Sequence, residues 1–184
     1  MNLNRLSDNI YTIDNFWSKN ECLAFIYKSE SIGYEPAKVS TENGQIVVKS
    51  VRNNERIIFK DEVLAETLWQ QLKSYAPKRI GNSNASGLNE LFRFYKYQSG
   101  QEFKKHRDQS YIRNEVEASY FTFMIYLNDD FIGGETIFSN VTIQPKQGMA
   151  LVFFHDLEHS GNSVKEGIKY VLRTDMMFKL ELEV

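Results

Sequence analysis

The three histidines of the chain are His106, His155 and His159, and the first belongs to the tripeptide His106-Arg107-Asp108. On an extended segment residues two apart point to the same side, so this tripeptide can offer an imidazole and a carboxylate to one metal ion. A second histidine from a later strand would complete a face of two histidines and one carboxylate. Such a face leaves three coordination positions open, the arrangement suited to non-haem Fe(II) and dioxygen. On chemistry alone His155 and His159 both qualify. The competing reading of His106-Arg107-Asp108 is an exposed strand end with a surface ion pair. A zinc site made by His155 and His159 is disfavoured, because Asp156-Leu157-Glu158 lacks the glutamate that a zinc hydrolase helix carries next to its first histidine.

The residues after His159 form a patterned stretch, with Gly161, Val164, Gly167 and Lys169 at set intervals. This stretch resembles the Fe(II)- and 2-oxoglutarate-dependent dioxygenase superfamily in its prolyl 4-hydroxylase-like branch, where the distal histidine is followed by Gly, Val, Gly and a basic residue. Three further blocks are similar. Tyr95-Lys96-Tyr97-Gln98-Ser99-Gly100-Gln101-Glu102-Phe103 leads into His106 as the family leads into its first ligands. Tyr126-Leu127-Asn128-Asp129-Asp130 followed by Gly133-Gly134-Glu135-Thr136 resembles its strand and turn, and Pro145 to Phe153 resembles the strand before its distal histidine. The likeness runs from about Leu91 to Phe178.

The resemblance implies a mainly β chain with flanking N-terminal helices, folded as a double-stranded β-helix, a jelly-roll variant. It implies Fe(II) held by His106, Asp108 and His159, with 2-oxoglutarate as cosubstrate, O2 as oxidant and ascorbate as a rescuing reductant. Lys169 would pair with the C5 carboxylate of 2-oxoglutarate, a charge-assisted contact worth roughly 1.5–3 kcal/mol. Tyr126 would bond the same carboxylate, and Tyr97 would stand near the metal end. Arg173 shares a strand face with Lys169 and could reach the carboxylate in its place; otherwise it would pair with Asp175 or Glu135. His155 becomes a loop histidine without metal. The implied reaction is hydroxylation of an unactivated C–H bond, with release of succinate and CO2. The implied target is a prolyl residue of a peptide or protein, with a free amino acid or small metabolite as the alternative. A non-catalytic jelly-roll binding module is the reading from a different class.

Arg52, Asn53, Asn54 and Arg56 stand where prolyl hydroxylases carry an Arg-containing substrate loop, and a charged hairpin arm is the plain alternative. Arg93 lies on a strand with Tyr95 and Tyr97 and could face the pocket. Lys104, Lys105 and Arg107 form a basic patch beside the metal that could select an acidic substrate.

These side chains need elements to hold them. Ser18-Lys19-Asn20-Glu21 is a capping-box pattern that predicts a helix ending at Gly33, with Cys22, Phe25, Ile26 and Ser29 on one face. Asp61 can cap a second helix over Glu62 to Tyr75, striped by Leu64, Leu68, Leu72 and Tyr75 and stopped by Pro77. Strands are predicted at Ile10–Ile13, Leu91–Tyr97, Glu102–Arg107, Ser119–Leu127, Glu135–Phe138, Val141–Ile143, Met149–Phe154 and Lys169–Leu182. The polar run Gly81 to Gly87 reads as a linker. It would join residues 1–90, the helices and substrate loop, to residues 91–180, the metal-binding core, within a single domain over 1–184.

The 184 residues carry 42% hydrophobic side chains, enough for a sizeable core, so general disorder is excluded. A formal charge of −2 provides no global field for nucleic acid or an anionic membrane. Cys22 is the only cysteine, which rules out an intrachain disulfide and thiolate metal sites. The first residues lack the apolar run of a signal peptide, and a cytoplasmic location without membrane contact is expected.

Overall fold

Side chains alternate across a strand, so each ladder of the large sheet sorts its residues into two faces. The computed structural model describes residues 1–41, 44–48 and 50–181. Its large sheet runs in the order Asn2–Ser7, Ile10–Asp14, Ala150–Phe154, Glu117–Tyr126, Lys169–Leu180, Leu91–Tyr97, Glu55–Lys60, Glu35–Pro36. Antiparallel register sets Met124 opposite Arg173, Arg173 opposite Arg93, and Arg93 opposite Ile58. One step along, Tyr126, Val171, Tyr95 and Arg56 form the next row, and Lys169 faces Tyr97. All these residues therefore share the inner face.

A smaller sheet lies against that face, in the order Phe103–His106, His159–Gly161, Thr136–Phe138, Thr142–Ile143. Tyr95, Tyr97, Tyr126, Val171 and Phe153 from the large sheet pack with Phe138 and Ile143 from the small one. The outer face is apolar and dry. Phe92, Phe94, Phe121, Phe123, Ile125 and Leu172 are buried there with Cys22, Ala65, Leu68 and Leu72 of the two helices. Burying a large apolar side chain contributes about 1.5–3 kcal/mol, so this helix-backed layer makes the platform rigid and leaves the inner face free to carry polar groups.

The helices span Lys19–Ile32 and Glu62–Leu72. The capping box forms: the Glu21 amide donates to Ser18 Oγ at 3.3 Å, and the Ser18 amide donates to Glu21 Oε2 at 2.7 Å. Gly33, with φ of 88°, closes the first helix. Asp61 accepts from the Leu64 amide at 2.9 Å. The second helix stops at Leu72 rather than Tyr75, because the Tyr75 and Ala76 amides both turn back to the Leu72 carbonyl ahead of Pro77.

Strand ends differ from expectation by a residue or two, as in Phe103–His106, Glu117–Tyr126 and Ala150–Phe154. Leu182, the expected end of the last strand, lies outside the described residues. A larger correction concerns Gly81 to Gly87. Ser83–Leu88 is a strand, paired with Lys169–Leu180 and with Arg79–Ile80, so the polar run is part of the sheet and not a linker. Ladder hydrogen bonds are made by the backbone and do not require apolar side chains. Among the described residues no helix is long and apolar enough to cross a membrane.

Candidate active site

His106 ends one strand of the small sheet and His159 begins its neighbour, and their register sets them directly opposite each other. Their ring centroids are 4.3 Å apart. The Nδ1–H of His106 donates to the Lys104 carbonyl at 2.7 Å, and that of His159 to the Leu157 carbonyl at 2.9 Å. Each bond fixes the tautomer and leaves the Nε2 lone pair free to act as a ligand. Those Nε2 atoms lie 3.7 Å and 3.9 Å from the Asp108 carboxylate oxygens. The three ligand atoms fall within 4.8 Å of one another, so His106, Asp108 and His159 can hold one metal ion. Phe103 stacks on His106 at 3.5 Å, and Phe153 meets His159 edge-on at 4.5 Å. These rings restrict the imidazoles to one orientation.

The electrostatics suit ligation. Burial, reinforced by His159, pulls His106 down to about 4, so its imidazole is neutral near pH 7. Burial also lowers His159. For Asp108 burial favours the neutral acid, but Arg173 and the two histidines outweigh it and hold the carboxyl well below its usual range. Arg173 Nη2 lies 3.1 Å from Asp108 Oδ2 and 3.0 Å from Asp175 Oδ1. Thr122 Oγ1 accepts from Arg173 at 3.1 Å and donates to Asp108 at 2.5 Å. Thr122 was not singled out in the sequence. Its signal is the alternation Thr122, Met124, Tyr126, which places it on the pocket face.

His155 does not join the ligand group. It is buried, with Nε2 3.6 Å from Asp175, while its backbone carbonyl accepts from the Asp108 amide at 3.2 Å. It thus supports the metal loop from behind.

Lys169 occupies the other end of the same pocket. It is 3% exposed, and its Nζ donates to the Gly134 carbonyl at 2.6 Å, 5.3 Å from the ring centres of both Tyr97 and Tyr126. Among the described residues no carboxylate pairs with it. Burial, only partly offset by Glu135, pulls its ammonium down to about 7. Tyr126 Oη and Thr136 Oγ1 are hydrogen-bonded at 2.6 Å, and burial raises the Tyr126 phenol. Gly134 is required here: its φ is +68°, and a Cβ would lie 3.1 Å from the Lys169 side chain and 2.9 Å from the Phe131 ring.

The substrate-loop candidates are divided. Arg52 and Asn54 are buried, with Arg52 Nε donating to Asn54 Oδ1 at 2.6 Å and the guanidinium 4.3 Å from the rings of Tyr95 and Phe103. Asn53 accepts from the Glu102 amide at 2.7 Å. Arg56 and Arg93 line a cleft that continues outward from His106 and Asp108. In the expected basic patch, Lys105 pairs with Glu158 at 3.5 Å and Arg107 with Asp156 at 2.7 Å.

A pocket between two β-sheets presents two histidines, one carboxylate and a remote buried lysine, a donor set suited to non-haem iron. Residues 92–174 match the sequence pattern of the 2OG-Fe(II) oxygenase superfamily, and the fold is similar to that of solved prolyl hydroxylases. The viral collagen prolyl hydroxylase of Paramecium Bursaria Chlorella virus-1, in its 2OG complex, is 20% identical with a TM-score of 0.65 over 95% of this chain and 98% of that one. A Trichoplax adhaerens prolyl hydroxylase, bound to a hypoxia inducible factor oxygen degradation domain peptide, is 18% identical with a TM-score of 0.71 over 92% and 84%. A Pseudomonas putida prolyl-4-hydroxylase is 15% identical with a TM-score of 0.64 over 94% and 93%. No curated protein matches in sequence.

Proposed function

We propose that the protein is a 2-oxoglutarate-dependent dioxygenase that hydroxylates a prolyl residue of a peptide or protein, on a double-stranded β-helix formed by the two facing sheets. The observation that carries this reading is the convergence, in one pocket, of the His106, Asp108 and His159 donor set with an uncompensated buried lysine. His106, Asp108 and His159 fit Fe(II) because each offers one preoriented donor and a single side of the ion is used. When bound, Fe(II) with 2-oxoglutarate and O2 supplies an oxidation that yields succinate and CO2 and hydroxylates an unactivated C–H bond.

The chain's own residues bind, orient and shield. Lys169 receives the C5 carboxylate of 2-oxoglutarate, with Tyr126 and Thr136 beside it and Tyr97 along the cosubstrate's length. Arg173 is already committed to Asp108 and Asp175, which favours Lys169 for this role and makes Arg173 the residue that keeps Asp108 ionised and aimed. Phe103, Phe153 and Val171 exclude water from the reacting atoms. Ascorbate would reduce iron oxidised in uncoupled turnover. The prolyl target is supported by the fold shared with three prolyl hydroxylases, each of which is under 25% identical.

The test is release of succinate in proportion to hydroxyproline when proline-containing peptides are added with Fe(II) and 2-oxoglutarate. Asp108→Asn should abolish both, and metal analysis should show that iron is lost with it. Loss of iron in His155→Ala but not in His159→Ala would overturn the ligand assignment. Turnover of a free amino acid with no response to any peptide would remove the peptidyl target.

A further inference from the structure

The cleft leading outward from the metal residues holds far more positive charge than ligation requires. Its walls include Lys38, Arg52, Arg56, Arg93, Arg107 and Arg173, with Asp108 as the carboxylate among its described residues. Two acids outside the lining, the buried Asp175 and the exposed Asp156, offset part of this. Asp175 lies 3.2 Å from Arg93 and 3.0 Å from Arg173, and Asp156 holds Arg107. Even with Arg56 left aside, five cations face three carboxylates, and the charge of Asp108 is spent on the metal in the proposed function.

The arrangement is built into the sheet. Arg93 and Arg173 are directly opposed across neighbouring strands, a placement that destabilises unless a counter-charge intervenes. Asp175 is that counter-charge, one acid between two guanidiniums. Arg56 sits diagonally from Arg93 on the next strand, opposite Tyr95. Arg52 is 4% exposed, yet its Nη2 has no hydrogen-bond partner, and Arg173 Nε is likewise buried and unsatisfied. Leaving charged donors buried and unused costs free energy. The local field shows in Tyr95: burial would raise its phenol, but Arg173, Arg52 and Arg93 bring it down to about 8. Arg93 spends one donor, Nη1, on Asp175, while a guanidinium has five.

We infer that this cleft receives a carboxylate of the substrate, held by Arg93 and Arg56 beside the metal, so that the hydroxylated residue lies next to an acidic group. This rests on the proposed dioxygenase function, and it adds a requirement that function does not contain. The shared chemistry is a carboxylate, and its source is an acidic side chain flanking the target or the α-carboxylate of a free amino acid. Bidentate recognition by arginine suits either.

The test uses protein loaded with Fe(II) and saturating 2-oxoglutarate without oxygen, with binding read by calorimetry. The probes are four capped pentapeptides with proline or alanine at the centre and glutamate or glutamine on both sides, together with L-proline and L-prolinamide. The glutamate peptides should bind at least about tenfold more tightly than their glutamine partners, an advantage reduced by added salt. It should fall to within about twofold in Arg56→Gln and in Arg93→Gln; Arg56→Gln keeps the test valid if loss of the Asp175 partner unfolds the other. A preference confined to L-proline over L-prolinamide would place the carboxylate on a free amino acid. Equal behaviour of acid and amide in every pair, including no binding by any of them, would overturn the inference. Once oxygen is admitted, equal turnover of the alanine and proline peptides would refute the prolyl target while leaving the carboxylate site standing.

Discussion

Lys169 and Arg173 project from one face of one strand into one pocket, and the tertiary structure gives them opposite circumstances. Arg173 lies between two buried carboxylates, which with their charge raise its already high pKa further. Lys169 is as deeply buried but has a carbonyl and two aromatic faces in place of a counter-ion, and its pKa is drawn down to about 7. A cation whose charge is balanced by its own protein's acids is a structural member. One left without an acid is waiting for a ligand that brings it. Under the proposed function, the difference between the two ends of the pocket separates support of the metal loop from reception of the cosubstrate.

The comparison can be broken most forcefully at Arg173. Arg173→Ala strands Asp108 as a buried acid and leaves Asp175 to Arg93 alone, and it should cost about 3–5 kcal/mol of stability, measured by urea unfolding. Lys169→Met should do the reverse: unfolding free energy held or increased, because a desolvated charge is removed, with affinity for 2-oxoglutarate weakened about 10–100-fold in calorimetry. If Lys169→Met destabilised the ligand-free protein as much as Arg173→Ala, the contrast would fail.

Thr122→Val tests the link between Arg173 and Asp108. It should cost about 1–2 kcal/mol and loosen iron binding while sparing 2-oxoglutarate affinity in protein saturated with metal. Equal loss of both affinities would mean that the two ends are not separable.

The smallest effect is in protons. Between about 7 and the ordinary lysine value of 10.5, the unfolded chain holds the Lys169 proton and the ligand-free folded chain releases it. Stability of the ligand-free protein should therefore rise with pH across that window and lose this contribution as pH falls through about 7. Binding of a carboxylate raises the lysine again. At pH 8 the association of 2-oxoglutarate should take up a fraction of a proton, seen as a dependence of the measured heat on buffer ionisation enthalpy and absent in Lys169→Met.

Much of the site was legible because its signals are local. His106 and Asp108 are two apart on an extended segment, and that spacing alone points both to one side. The capping box at Ser18 and Glu21 and the acid at Asp61 mark their helices through bonds made within a few residues. Lys169, Val171 and Arg173 could be assigned to one face by alternation. The residues from Gly81 to Gly87 misled for the opposite reason: a strand held by backbone pairing to Lys169–Leu180 carries no apolar pattern of its own.

The sequence by itself determined the donor types, their spacing and the sheet faces they occupy, since these follow from the period of a strand and the chemistry of the side chains. The pattern after His159 already favoured it over His155 by resemblance; how it meets His106 belongs to the tertiary structure, because the register of two strands distant in sequence sets that pair. The tertiary structure alone decided which cation is compensated, because Asp108, Thr122 and Asp175 reach Arg173 from three separate segments. And it gathered Arg52, Arg56 and Arg93 into one cleft, because charge density depends on distance in space, which no spacing along the chain specifies.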